Sequence, residues 1–205
     1  MIRNIKRNRS AVGVAVAAVG VLLVSGCARN IEVPASVPTP VLAALPLTVG
    51  VYYEEEFRNF LYIEKLLYGP EINLELGDAN VNMFDQMVDS VFSGHVELGE
   101  PQAGSAAVDA IIVPTVDEYA FLTPEQAGVD FYSVSIRYKV DLLSPSGNLL
   151  DSWTVDSYGR TRATGITGNN SLSQANREAL RDATAALALD MQERPSILRL
   201  IGSTE

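Results

Sequence analysis

"FYSVSIRYKVDLL", residues 131 to 143, alternates with a period of two. Val134, Ile136, Tyr138, Val140 and Leu142 fall on one side, and Ser135, Arg137, Lys139 and Asp141 on the other. That pattern is a strand with one face in a core and one in water. "SPSGN", residues 144 to 148, supplies turn residues. "LLDSWTVDSYG", residues 149 to 159, then returns with Leu149, Trp153 and Val155 expected on a common face. The two stretches read as a β-hairpin.

The segments before the hairpin extend the sheet. "VDAIIVPTVDEYAF", residues 108 to 121, is a long apolar strand that Pro114 must interrupt or place at a bulge or an edge. "HVEL" is a short strand and "PQAGSAA" a loop. "LTVGVYY", residues 47 to 53, alternates Leu47, Val49, Val51 and Tyr53 as a half-buried strand. Residues 54 to 71 are open between a short helix and an irregular strand pair, ended by Gly69-Pro70, and "INLEL" follows as a short strand.

Two helices flank these strands. "ANVNMFDQMVDSVF" carries Val81, Phe84, Val88 and Val91 at helical spacing, with Asp78 placed to cap it. Met83, Met87 and Phe92 widen the apolar stripe, which suits a core face better than a methionine-rich binding face. The second helix runs from about Leu172 to Arg194, led by Ser171 or Ser173. Leu180, Ala183, Leu187 and Met191 point inward, and Pro195 stops it. The order predicts an α+β fold, a two-layer sandwich of a mostly antiparallel sheet with two main helices on one face.

The N-terminus has a different character. "MIRNIKRNR" holds Arg3, Lys6, Arg7 and Arg9 without an acid, and Ala11 to Val24 is an apolar run of 14 residues. A transmembrane helix needs about 20, so this basic-then-apolar layout predicts a signal peptide over 1–26. The run ends in Val24-Ser25-Gly26-Cys27, and Cys27 is the only cysteine. This motif resembles the lipobox of bacterial lipoproteins. The resemblance implies that Val24, Ser25 and Gly26 are read by a signal peptidase and that Cys27 carries acyl chains. Palmitate and diacylglycerol groups at Cys27 would then bind a membrane, since two or more chains hold firmly at about 0.8 kcal/mol per buried methylene. Ala28, where an aspartate would favour the inner membrane of enteric-type bacteria, implies by the same resemblance the outer membrane, on its periplasmic face.

Pro34, Pro38, Pro40 and Pro46 follow. Proline at this density favours extended chain, so 28–45 reads as a tether of some tens of ångströms at about 3 Å per residue. The expected organisation is signal peptide 1–26, lipidated cysteine and tether 27–46, and one domain over 47–205. From Cys27 onward 11 Lys and Arg face 25 Asp and Glu, a formal charge of −14. Nucleic acid and broad docking on anionic headgroups both need basic patches, so neither is an expected partner.

No catalytic constellation is evident in the sequence. His95 is a lone histidine without a nucleophile motif. Asp117 with Glu118, or Glu54 to Glu56, could supply a carboxylate pair only if the fold brought them to a suitable spacing. Clustered Cys and His for a metal, and phosphate or dinucleotide loops, are absent from the sequence, so no cofactor is expected. The lipobox, tether and small domain resemble accessory lipoproteins of the lipopolysaccharide-assembly or ABC-transport-auxiliary type. That resemblance is architectural and implies an envelope protein partner without catalysis. The alternative is a carrier holding a lipid or other apolar molecule between helices and sheet, which a preformed apolar pocket would favour. The loops 121–130 and 160–171, the latter with Arg160 and Arg162, are the candidate partner-binding segments.

Overall fold

A computed structural model describes residues 28–33, 42–66, 70–104, 106–164 and 168–202. Val24, Ser25, Gly26 and Cys27 lie outside them, as does the whole of 1–26. In chain order the elements are β1 (Arg29–Glu32), β2 (Leu45–Tyr52), α1 (Glu55–Arg58), β3 (Leu61–Lys65), β4 (Glu71–Glu75) and α2 (Gly77–Val91). Then come β5 (Phe92–Leu98), β6 (Ala110–Leu122), α3 (Pro124–Ala127), β7 (Phe131–Leu143), β8 (Leu149–Arg162), α4 (Asn169–Glu193) and α5 (Pro195–Gly202).

The β7–β8 hairpin forms as its alternation predicts. Val134, Ile136, Tyr138, Val140 and Leu142 are all buried, while Ser135 is exposed and Arg137 and Lys139 stay partly in water. It belongs to a five-stranded sheet in the order β5-β2-β6-β7-β8. The expected mostly antiparallel sheet is corrected here: β6-β7 and β7-β8 run antiparallel, but β2 pairs parallel with both β5 and β6. Parallel neighbours need a crossover of a dozen or more residues, and the chain from Tyr53 to Val91 supplies one. Alternation within a short strand carries no information about the direction of its neighbour.

A second, three-stranded sheet in the order β1-β4-β3 was not foreseen. Its inner residues Ile31, Ile72 and Leu74 join the same core as Phe84, Tyr138 and Leu172. Both long helices are where the pattern puts them. Phe84, Met83, Met87, Val88, Leu180, Ala183, Leu187 and Met191 have essentially no exposure. Phe84 sits between the rings of Phe57 and Tyr138, at 5.5 and 5.7 Å. Where α4 crosses β8 the contact is backbone on backbone: a Cβ at Gly159 would come within 2.0 Å of the Ala175 carbonyl oxygen.

The reading of 28–45 as a tether is corrected over residues 28–33, while 34–41 lie outside the described residues. Arg29–Glu32 is a strand paired in parallel with β4, Arg29 opposite Ile72 and Glu32 opposite Glu75. Ile31 and Val33 are buried, and Ser173 Oγ donates to the Glu32 carbonyl at 3.1 Å. Proline is sparse in this first part of the segment, so nothing prevents pairing. The domain therefore includes residues assigned to the linker, and its boundary precedes residue 47.

Smaller differences have local causes. Asp78 lies within the first turn of α2 rather than at its cap, which is Leu76. Leu149 is exposed, because a register shift opposite Leu142 and Leu143 puts it on the other face from Trp153. Pro114 does not interrupt β6. Pairing with β2 stops at Ile112, so the proline lies beyond it on an open edge, shortly before a bulge at Val116/Glu118. Helix α4 starts at Asn169 after Gly168, whose φ of 70° favours glycine. Pro195 ends α4 and at once begins α5, a position where its missing N–H costs nothing.

Candidate functional site

Among the described strands, β8 has no neighbour on its outer side. An open edge presents unpaired N–H and C=O groups. Part of this one is covered by α4: Asp182 Oδ2 accepts from the Tyr158 backbone N–H at 2.9 Å. That bond also fixes which residues face outward. Strand alternation turns the backbone groups of Arg160 and Arg162 to the same side as those of Tyr158.

A cleft of about 660 Å³ runs along this edge, lined by residues 158 to 162 of β8 and by Gln174, Glu178, Arg181, Asp182 and Ala185 of α4. Its acids already have partners, Asp182 as above and Glu178 accepting from Gln174 Nε2 at 2.8 Å. Arg160 stacks on the Phe131 ring, 4.3 Å from its centroid, with Arg162 at 6.0 Å. Stacking leaves the guanidinium edges of both available for carboxylates. Arg181 joins them from the helix. The result is a short cationic groove beside an open strand edge in a strongly acidic chain.

Sequence reasoning singled out Arg160 and Arg162 but placed them on a loop; both are on β8. Arg181 was missed. It lies off the inward stripe of α4, and only the crossing of α4 over β8 brings it to the groove. The loop 121–130 contains the one-turn helix α3, closed by a reciprocal cap in which Thr123 Oγ1 accepts from Gln126 N and Gln126 Oε1 from Thr123 N. The sequence "TPEQ" carries that capping-box signature.

The wet face of the sheet is held by charge. Arg137 bridges Glu118 at 2.8 Å and Asp156 at 2.7 Å across three strands. The hydrogen bond to Asp156, then the two negative charges, raise its guanidinium above the usual arginine range. At the opposite end of β8, Arg194 stacks 4.3 Å over Trp153 and binds Asp190, while Ser196 Oγ donates to Asp151 at 2.7 Å. These contacts tie the α4–α5 junction to the strand and keep the groove's two walls in register.

The residues weighed for catalysis are dispersed. His95 lies on β5 with Nδ1 2.8 Å from Asp89. Glu118 is engaged by Arg137, and Asp117 is exposed beside the bulge. Glu55 and Glu56 form the first turn of α1 between buried Tyr53 and Phe57. Burial, then the hydrogen bond to Asp85, raises the Tyr53 phenol well above its ordinary range. Among the described residues no group of three or more His, Cys, Asp and Glu is arranged to hold a metal. No helix among them is long and apolar enough to cross a membrane. A second cleft, about 640 Å³, is lined by Glu32, Arg58, Glu75 and Asp78 among others, and Arg58 is already paired with Glu97.

No family model matches the sequence, and no curated protein does. The fold is shared with a crystal structure from Xanthomonas campestris assigned to family DUF330. That match has a TM-score of 0.51 at 12% identity, covering 87% of this chain and 98% of the other. A minor lipoprotein from Acinetobacter baumannii aligns over 73% of this chain and 93% of its own, with a TM-score of 0.42 at 10% identity.

Proposed function

We propose that the chain is a lipid-anchored accessory protein of a bacterial envelope assembly or transport system, without catalytic activity. Acyl chains on Cys27 hold it at the outer membrane, facing the periplasm, and it grips a protein partner along the open edge of β8. The observation that carries the partner role is the groove itself. Backbone groups free to extend a sheet lie beside Arg160, Arg162 and Arg181, which favour an extended segment bearing carboxylates. The carrier reading has less support: both clefts described above are open and lined by charged residues, and the space between helices and sheets is filled by side chains of the core.

Two experiments test the two halves of the proposal. Labelled palmitate should enter the wild type and not Cys27→Ser; equal labelling of both removes the anchor. In a cross-linked pull-down from native membranes, replacing Arg160, Arg162 and Arg181 together by serine should weaken capture of the partner. Exposed ion pairs contribute about 0.2–1 kcal/mol each, so the triple change corresponds to about a tenfold loss. Its melting temperature should stay that of the wild type. Undiminished capture would move the interface away from β8.

A further inference from the structure

The outer edge of β8 is closed at two points and open between them. Along the strand, backbone groups alternate between β7 and the outer side. Ala163 turns inward, its N–H donating to the Asp130 carbonyl at 2.9 Å. The groups of Tyr158, Arg160, Arg162 and Thr164 therefore turn outward. Helix α4 closes the first and the last of these. Asp182 Oδ2 accepts from the Tyr158 N–H at 2.9 Å, and Ser171 Oγ accepts from the Thr164 N–H at 3.0 Å. Among the described residues, no bond reaches the outward N–H and C=O groups of Arg160 and Arg162.

The two closures follow from how the helix lies. From Tyr158 to Thr164 the strand advances about 20 Å at 3.3 Å per residue. From Ser171 to Asp182 the helix advances about 16 Å at 1.5 Å per residue. So α4 runs back along β8 and touches its edge near each end. Midway, the closest approach is on the core side, where Gly159 meets Ala175 and Ala179. Beside the edge itself the cleft stays open.

A window this short selects what can pair in it. In an antiparallel pair, directly opposed residues exchange both of their bonds. One residue opposite Arg160 and one opposite Arg162 would satisfy every open group, using three residues of the incoming chain. A parallel segment would bond through residues aligned with positions 159, 161 and 163, and would need five. Opposed residues also share a sheet face. The two bonding residues would thus set their side chains beside Arg160 and Arg162, on the face where both arginines lie over Phe131. The residue between them would turn to the helix wall of Gln174, Glu178 and Arg181.

We infer that the partner segment is an antiparallel triplet with an acid at its first and third positions. Its carboxylates meet Arg160 and Arg162, and Asp182 and Ser171 set its limits. This deepens the reading of β8 as the partner edge and rests on it. The same closures prevent open-ended addition of strands, the hazard of a bare edge.

The full chain, purified in detergent, is titrated with peptides that carry fluorescein at the N-terminus and an amide at the C-terminus, and binding is read by anisotropy. Thr-Glu-Thr-Glu-Thr is compared with Thr-Glu-Glu-Thr-Thr, of the same composition and charge. The alternating peptide should bind about fivefold more tightly, because two adjacent acids cannot both face the arginines. Methylating the amide nitrogen of either glutamate should abolish that preference, and methylating the central threonine should leave it. Equal binding of the two peptides, or sensitivity at the central threonine instead, overturns the antiparallel triplet. Absence of binding by both also overturns it; the β8 reading then stands if replacing Arg160, Arg162 and Arg181 by serine still weakens the membrane pull-down. An undiminished pull-down removes the β8 reading, and the triplet with it.

Discussion

The long hairpin and the first strand are held in opposite ways. β7 and β8 share 13 paired positions across a five-residue connection. β1 has four, made to β4 at a separation of 43 residues. In the hairpin each paired position supports the next, and the alternation of apolar side chains fixes the register. β1 has no such local support. Its place is set by two buried side chains, Ile31 and Val33, and by the bond from Ser173 to Glu32. The contrast is between an element that specifies itself and one that is placed by what it lands on.

The sharpest way to break that contrast is to damage what both share. Phe84 lies in the common core with contacts to Phe57 and Tyr138. Phe84→Ala should cost about 3–5 kcal/mol, a large part of the 5–15 kcal/mol typical of a domain. Thermal melting should show one transition at much lower temperature; a shift of a degree or two would mean that the ring is not a keystone of the core.

Ile31→Ala separates the two regions. A buried isoleucine truncated to alanine costs about 2–5 kcal/mol when the whole structure bears the loss. At a four-residue edge strand the expected value lies at the low end, because β1 can open locally. Hydrogen exchange should quicken at residues 29 to 33 and stay unchanged at 134 to 142. Acceleration at both would show that β1 and the hairpin belong to one cooperative unit.

The smallest effect concerns the far end of the hairpin. The Ser196 hydroxyl, with the Asp151–Ser152 backbone bond and Arg194 adding to it, holds the Asp151 carboxyl below its ordinary value of 3.8. A carboxyl depressed in the native state contributes stability that is complete above the unfolded value and lost as pH falls through the folded one. The difference in stability between wild type and Ser196→Ala should therefore be full at pH 7 and shrink as pH drops below 3.8. A difference that grows with acidity would contradict the assignment.

The sequence was most informative where structure is local. The hairpin and both apolar helix stripes follow from spacing alone, because each covers ten or more residues with an unbroken period. β3 lies in the stretch 54–71 left open between helix and strand pair, because five residues are too few for a period to decide. "INLEL" does read as a strand and forms as β4, but nothing local names its partners β1 and β3. The parallel partners of β2 depend on where a crossover deposits the chain, which no local pattern encodes. The groove shows the same division. Arg160 and Arg162 attracted notice as cations in an acidic chain. Arg181 became relevant only through the approach of α4 to Gly159, a contact between backbones that leaves no side-chain signature beyond the glycine itself.

The pairing of β1 also sets an order in time. Its partner β4 ends at Glu75, so β1 cannot dock until the chain to that point has been delivered and β4 has found β3. Non-local parallel pairing is slow to form, since loop closure must precede any gain from contacts. On the lipoprotein reading, a freshly exported chain would therefore keep the residues just after Cys27 extended while the rest condenses. On the lipoprotein reading that delay is the interval in which acylating enzymes and a peptidase reach Cys27. On the same reading, once β1 settled beside Ile72 the anchor and the folded body would close together, and maturation would end with the cysteine already committed to lipid.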